Sequence, residues 1–174
     1  SRQRLAALSR TTGTAMTWSA NVTGLVQDLV LVDDRLYVAG TFSNIGGQAR
    51  SNLALLDRVS GSVAPWNPGS DFGARAVAPH ISGIYAGGNF STLGGQTRED
   101  LGSVEAFTGT ASSWNPQVFG GPVETLVASN GRLFVGGNFT TIAQQPRAGF
   151  AVFSLPVLQA ARINARAHLE GPYN

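Results

Sequence analysis

Short apolar runs alternate with glycine-rich or polar turns along most of the chain. Several of these runs resemble one another and recur at a spacing of 48 or 49 residues. No segment before residue 156 shows the apolar period of an amphipathic helix. The pattern therefore predicts internal repeats built of short β-strands. The aligned strand pairs are Leu36–Phe42 with Leu53–Asp57, Ile84–Phe90 with Leu101–Glu105, and Leu133–Phe139 with Phe150–Ser154.

Each repeat contains four predicted strands, as the unit around residues 23–67 illustrates. The turn between the first two strands is Asn130-Gly131 in the third copy, and this dipeptide favours a tight hairpin. The loop between the second and third strands carries Gly46-Gly47, which Ala143-Gln144 replace in the third copy, so we expect a different loop shape there. Four short antiparallel strands in about 48 residues are typical of a β-propeller blade. The four strands of the unit are Leu25–Val32, Arg35–Phe42, Leu53–Asp57 and Val63–Trp66.

The repeats predict an all-β fold, a partial β-propeller of about three and a half four-stranded antiparallel blades. We expect a partial blade over residues 1–21, complete blades over 22–68 and 69–116, and a blade with three clear strands over 117–155. Residues 156–174 are predicted to form a linker or the start of a following β domain, with a short helix over 159–167 as the alternative. Because a third strand occurs at both ends, the ends overlap instead of completing one another. The chain is thus expected to be a fragment of a longer protein or to pair with another copy.

Aromatic residues keep the same register. Trp18, Trp66 and Trp114 lie 48 residues apart. We expect them to be buried between blades, with each indole N–H donating to a carbonyl. The alternative is that they are exposed and stack on sugar rings. A phenylalanine ends the second strand of every copy, which predicts structural repeat positions at Phe42, Phe90 and Phe139.

One stretch of the sequence matches a known pattern. Residues 36–68 read LYVAGTFSNIGGQARSNLALLDRVSGSVAPWNP. The aromatic-x-x-Gly-x-Phe-x-x-Ile/Leu-Gly-Gly-Gln-x-Arg motif and the Trp-Asn-Pro ending resemble the delta-sixty-repeat propellers of secreted bacterial proteins. More distantly, they resemble kelch-like repeats. The resemblance covers about residues 1–155. It implies an extracellular β-propeller and no defined catalytic activity.

Composition narrows the function classes. All 12 basic residues are Arg, the net charge is only +2, and charged residues make up 13% of the chain, which argues against a nucleic-acid-binding domain. The chain has no Cys and no apolar run of 18 residues, so we expect no disulfide, no Cys zinc site and no membrane span. His80 and His168 belong to no metal-ligand or nucleophile motif. We therefore predict no catalytic residue, metal or cofactor, and place His80 in a solvated turn.

The charged residues of the loops supply candidate binding groups. Arg50, Arg98 and Arg147 fall at equivalent positions, in register with Arg2. Each could tie its loop to carbonyls or a carboxylate of the adjacent blade, or the ring of arginines could bind an anion. Function in a repeat array lies more often where the repeat is broken. The breaks are Asp71, Arg75, His80, Glu99 and Asp100. The candidate binding residues are Arg50, Arg98, Arg147, Glu99 and Asp100.

Three function classes remain open at this point. The first is a non-catalytic extracellular propeller module that binds a partner or builds cell-surface or matrix structure. The second is a lectin-like, carbohydrate-binding propeller. The third is part of an enzyme whose catalytic residues lie in further blades. The expected partners are the remainder of a parent chain or another copy that completes the ring, together with a protein or glycan ligand, and no nucleic acid.

Overall fold

The computed structural model of the chain describes residues 4–156, and this part contains strands, turns and loops but no helix. The predictions for residues 157–174, including His168, and for Arg2 lie outside the described residues. The strands are β1 (Val22–Val32), β2 (Arg35–Ile45), β3 (Gln48–Ala49), β4 (Leu53–Asp57), β5 (Ala74–His80), β6 (Gly83–Gly88), β7 (Thr92–Leu93), β8 (Gln96–Thr97), β9 (Leu101–Val104), β10 (Val118–Phe119), β11 (Val123–Ser129), β12 (Arg132–Gly137), β13 (Thr141–Ile142), β14 (Gln145–Pro146) and β15 (Phe150–Ser154).

Three antiparallel sheets follow one another along the chain, in the orders β1-β2-β4, β5-β6-β9 and β11-β12-β15. In the first and third sheets the first hairpin turns through Asp33 and Asn130, which adopt φ values of 53° and 49° that Asp and Asn tolerate well. A bulge interrupts the first strand of each sheet at the same repeat position. These are three consecutive blades, which we number one to three, and they confirm the predicted partial β-propeller.

The fourth strand of each repeat is shorter than predicted. It is reduced to a single antiparallel bridge, Leu56↔Val63 in blade one and Val104↔Ala111 in blade two. The partial unit at the start of the chain likewise keeps only the bridge Leu8↔Ala15. Few residues remain between the preceding turn and the Trp-Asn-Pro segment, and the proline there has no N–H to donate to a ladder. The outer edge of blades one and two is therefore joined by a few backbone hydrogen bonds, such as Ala64 N–H to the Leu55 carbonyl and Ser112 N–H to the Ser103 carbonyl, each at 2.8 Å.

The predicted loop between the second and third strands is a small hairpin. Residues 44–45 pair with residues 48–49, and the same pairing recurs as β7 with β8 and β13 with β14. The expectation of a different shape in the third copy is wrong. Ala143 and Gln144 adopt φ values of 51° and 60°, close to the 56° and 77° of Gly46 and Gly47. The repeat geometry thus imposes a left-handed turn on residues that disfavour it.

Blades pack face to face through apolar clusters at each junction. We call the face that a blade turns toward the following blade its trailing face, and the opposite one its leading face. At the first junction the trailing face of blade one meets the leading face of blade two. Phe42, Phe90 and Phe139 are buried at equivalent places in successive clusters, as predicted for structural repeat positions. The residues of the first junction include Tyr37, Leu53, Leu55 and Trp66 from blade one, and Val77, Ile84, Phe90 and Leu93 from blade two.

The tryptophans follow the repeat but differ in burial. Trp66 is 3% exposed, contacts Tyr37 edge to face with ring centroids 5.7 Å apart, and donates from Nε1 to the Glu105 carbonyl of blade two at 3.0 Å. Trp114 makes the equivalent contact with Tyr85 at 5.0 Å but is only half-buried. Trp18 is half-buried, and its Nε1 has no hydrogen-bond partner among residues 4–156. The predicted burial with an indole–carbonyl bond is thus correct for Trp66 alone.

Candidate functional site

The small hairpins project from one end of the blades. We call this the hairpin end, formed by residues 41–52, 70–75, 89–100, 118–124 and 138–149. It carries every candidate binding residue that the sequence suggested, so its polar groups decide what the module can bind. Two junctions between blades open at this end, and they differ in chemistry.

The repeated arginines are tied to the protein backbone. Arg50 is buried and donates from Nη1 to the Ala49 carbonyl at 2.7 Å and from Nη2 to the Ala64 carbonyl at 2.8 Å. Arg98 repeats this pattern with the carbonyls of Thr97 and Ser112. Both outer acceptors belong to the fourth segment of the same blade, whereas a tie to the adjacent blade was expected. These guanidinium groups therefore hold the loop against its own outer edge.

Arg147 differs from the other two arginines. It is exposed, and within the described residues its guanidinium makes one long hydrogen bond, to the Pro146 carbonyl at 3.3 Å. Its charge is exposed to solvent. In this part of the hairpin end, no other arginine of the described residues is bonded to the backbone. Within the described residues, it is the one of the three arginines whose guanidinium is not tied to the fourth segment of its blade.

A polar joint links the first two blades. Asn52 has φ 69° and is buried. Its Oδ1 accepts from the Phe42 N–H at 3.0 Å, and its Nδ2 donates to the carbonyls of Ser70 and Phe72, both at 2.9 Å. Because Ser70 and Phe72 belong to the next repeat, the Asn52 amide links the two blades by hydrogen bonds.

The equivalent position of blade two is Asp100, which keeps the left-handed backbone with φ 59°. A carboxylate has no N–H to donate, so Asp100 cannot make the two carbonyl bonds that Asn52 makes. Burial, and after it the neighbouring Glu99 carboxylate, raise the pKa of Asp100 to about 6 against the opposing effect of Arg75. Near neutral pH the Asp100 position thus carries a partly buried negative charge.

A charged pair spans the second junction beside Asp100. Arg75 Nη1 donates to Glu124 Oε1, and Asn138 Nδ2 donates to the same oxygen at 3.3 Å. Arg75 and Glu124 occupy the bulge of the first strand in their blades, the place that Gln27 fills in blade one. The structure therefore brings Glu99 and Asp100 together with Arg75 and Glu124.

A cleft of about 380 Å³ opens at the first junction. Its buried members are Phe42, Asn52 and Ser70, and the others are exposed. No cationic side chain lines it, and its single charged residue is Asp71. The cleft therefore suits a small ligand that offers hydroxyl groups or positive charge instead of an anion. Its lining residues are Thr23, Thr41, Phe42, Ser43, Ser51, Asn52, Ser70 and Asp71.

The Asp71 carboxylate is held in a fixed orientation. Its Oδ1 accepts from the backbone N–H groups of Ser91 and Thr92, each at 2.9 Å, and from that of Phe72 at 3.1 Å. Desolvation acts to raise the pKa of Asp71, but the N–H groups of Thr92 and Ser91 outweigh it, so that the pKa lies below its usual value. The group is thus an ionised hydrogen-bond acceptor over the pH range in which most proteins fold.

Within residues 4–156, no group of three or more His, Cys, Asp or Glu side chains is placed to hold a metal ion. His80 ends β5, and its Nδ1 hydrogen-bonds to the Ser82 hydroxyl at 2.7 Å in the turn that follows. The part of the chain that the structure describes has no helix long and apolar enough to span a membrane.

Sequence reasoning found some of these residues but not their grouping. Asp71 and Arg75 stood out as breaks in the repeat, and Glu99 and Asp100 as candidate binding residues. Neither the hydroxyl-lined cleft nor the pairing of Arg75 with Glu124 was foreseen. Aligning the repeats and comparing the residues at each equivalent position could have found them. One such position is held by Thr23, Asp71 and Phe119, and another by Gln27, Arg75 and Glu124.

Comparison with known families agrees with this architecture. Residues 33–63 and 128–151 match the family model described as "Domain of unknown function (DUF5122) beta-propeller". Both segments include a second strand, the small hairpin and at least part of a third strand. No curated protein and no solved structure matches the chain. The chain is thus built of β-propeller repeats.

Proposed function

We propose that this chain is a non-catalytic repeat module of an extracellular β-propeller, whose two outer faces each take a further blade of the same kind. The resemblance to the delta-sixty-repeat and kelch-like propellers supports the extracellular placement. The further blade belongs either to a parent chain or to another copy of this one. The module then serves binding or cell-surface structure through its hairpin end.

The observation that carries this proposal is a change in exposure at equivalent repeat positions. On trailing faces, Leu53 and Leu101 are fully buried, whereas Phe150 of blade three is 58% exposed. Val152 and Val127 lie beside it in the same sheet and are also exposed. These exposed apolar residues lie at positions where blades one and two bury apolar side chains against the following blade. The trailing face of blade three is therefore suited to pack against a further blade.

The leading face of blade one shows the same change. Val77 and Leu126 are 1% and 7% exposed, whereas Leu29, at their position in blade one, is 44% exposed. Leu31 lies two residues further along the same strand, on the same face, and is exposed as well. The partial unit before blade one covers only part of this face, through Leu5. Contiguous apolar patches of this kind mark interaction surfaces.

Light scattering on the 174-residue chain tests the proposal, because a second copy is then the only source of blades. We expect association that rises with protein concentration. Val152→Arg and Leu29→Arg should each weaken it, since either places a charge in the interface. Val59→Arg is the matched control, because Val59 is 71% exposed on a turn outside both faces. A monomer at all concentrations, or equal effects of all three variants, would contradict the proposal.

The extracellular placement has a separate test. We expect that protease added to intact producing cells degrades the protein, as it does other surface-exposed or released proteins. Degradation only after cell lysis would overturn this part of the proposal and leave the assembly of blades untouched.

A second candidate function is carbohydrate binding, which the cleft at the first junction favours. Five hydroxyl side chains and one fixed carboxylate line it, and such groups are able to replace the water around sugar hydroxyls. Trp66 does not support this function by stacking, because it is buried between blades. The cleft is therefore the feature on which carbohydrate binding depends.

A further inference from the structure

Asp71 breaks the repeat at a position that faces the first junction. Thr23 and Phe119 occupy the same position in the neighbouring repeats. At the second junction the cleft-lining hydroxyl of Ser51 is replaced by Glu99, and the Asn52 amide by Asp100. Of the two junctions between the described blades, only the first combines an acceptor carboxylate with a neutral hydroxyl lining. A feature that the repeat does not require is a candidate for function instead of folding.

One oxygen of the Asp71 carboxylate is free to accept further hydrogen bonds. Asp71 Oδ1 already accepts three backbone N–H groups. Within the described residues, Oδ2 accepts no hydrogen bond, although the residue lines the cleft. Because Oδ1 fixes the group and the residue lines the cleft, Oδ2 is the oxygen left to accept from a ligand, without the loss of side-chain freedom that an unrestrained Asp would suffer on binding.

The hydroxyl groups around it offer both donors and acceptors. Thr23 and Ser43 hydrogen-bond to each other at 3.3 Å, and Thr41 donates to Gln27 at 3.2 Å. The buried groups are satisfied inside the protein, since Ser70 donates to the Phe72 carbonyl at 2.6 Å and Asn52 uses its amide in the joint. The exposed hydroxyl groups on the walls of the cleft can exchange their hydrogen bonds for bonds to a ligand, whereas the buried polar groups at its floor already have partners. This arrangement suits a ligand that is itself hydroxylated and uncharged.

We infer that the cleft at the first junction binds a neutral polyol such as one sugar unit, with Asp71 Oδ2 accepting from two adjacent ligand hydroxyls. The inference rests on the binding role proposed above and names its site. Ser43 and Ser51 then exchange hydrogen bonds with the remaining ligand oxygens. An anionic ligand is disfavoured, because the only charge in the lining is negative.

Titration of the chain with methyl glycosides, followed by ligand-observed NMR, tests this inference. The probes are the methyl glycosides of glucose, galactose and mannose, with calcium chloride as a separate probe. We expect saturable binding of at least one glycoside and a loss of about tenfold in affinity for Asp71→Asn, since a charged acceptor is worth more than a neutral one. Ser51→Ala, which leaves the Asp71 bonds intact, should also weaken binding.

Thr140→Ala is the matched control, because Thr140 holds the Ser43 position in blade three and lies outside the cleft. Its affinity for the glycoside should equal that of the parent chain. Three results would overturn the inference: no saturable glycoside binding, binding that Asp71→Asn leaves unchanged, or a site that takes calcium in place of the glycosides. Light scattering reports blade assembly separately, so failure here is distinguishable from failure of the proposed module.

Discussion

Comparing residues at equivalent repeat positions shows which side-chain contacts the blades share and where one blade lacks such a contact. The Asn52 amide makes two bonds to the next blade, and Asp100 in the same backbone conformation lacks the donors for them. The sequence marked Asp100 as a break, but only the structure shows that the break falls on a joint. No composition or periodicity argument could have placed the partner carbonyls, since they come from a turn about twenty residues away.

The Asp100 joint predicts a pH dependence of stability. Its pKa of about 6 in the folded protein lies above the ordinary value of 3.8, so its contribution to stability is fully present below pH 4 and is lost as the pH rises through 6. Asp100→Asn should therefore stabilise the protein more at pH 7 than at pH 4. We expect a difference of about 1 kcal/mol, because solvent screening reduces the effect of a partly exposed group.

Chemical denaturation at the two pH values measures this difference. Asn52→Asp is the matched reverse variant, since it creates at the first junction the charge that Asp100 carries at the second. It should be destabilised at pH 7 and partly recover at pH 4. Equal stability gains for Asp100→Asn at both pH values would show that the charge of Asp100 is well solvated.

The arginine ties make a second prediction at the scale of residues. Arg98→Ala removes two charge-assisted bonds to carbonyls and should lower the free energy of unfolding by about 1–3 kcal/mol. Arg147→Ala is its control, because Arg147 is exposed and makes one long bond within the described residues. We expect less than about 0.5 kcal/mol for that variant. Thermal denaturation that ranks the two variants in the opposite order would contradict the tie.

At the scale of elements, the first hairpin of each blade was predictable, whereas the edges were not. The turns at Asp33 and Asn130 are local, and their residue types are visible in the sequence. The fourth strand is reduced to a single bridge, because few residues separate the preceding turn from the Trp-Asn-Pro segment. The small hairpin was hidden because Gly46-Gly47 suggests a flexible loop as readily as a tight turn.

The third small hairpin yields a test of the imposed backbone. Ala143 and Gln144 occupy left-handed conformations that glycine adopts in the other two copies. Replacing each by Gly should stabilise the protein by about 1 kcal/mol, because relief of backbone strain exceeds the added entropy of the unfolded chain. The matched control is Ala111→Gly on the outer edge, which should not stabilise. Destabilisation by Ala143→Gly in a denaturant titration would mean that this turn differs from its repeats.

At the scale of the whole molecule, the repeats explain both the buried apolar cores between blades and the exposed apolar faces of the two outer blades. The period predicted the blades and the buried Phe positions, because every copy needs the same core. The sequence could not show which residues become exposed, since Leu29 and Phe150 are as apolar as their buried counterparts and differ only in their neighbours.

The most direct measurement of this account is a directional cross-link between two copies. The chain has no Cys, so Leu29→Cys and Val152→Cys each introduce a single thiol, one on the leading and one on the trailing face. With a short bis-maleimide, a mixture of the two variants should yield far more cross-linked dimer than either variant alone, because a trailing face packs on a leading face. Equal yields from all three samples, or no dimer in any, would contradict the claim that the two outer faces are blade interfaces.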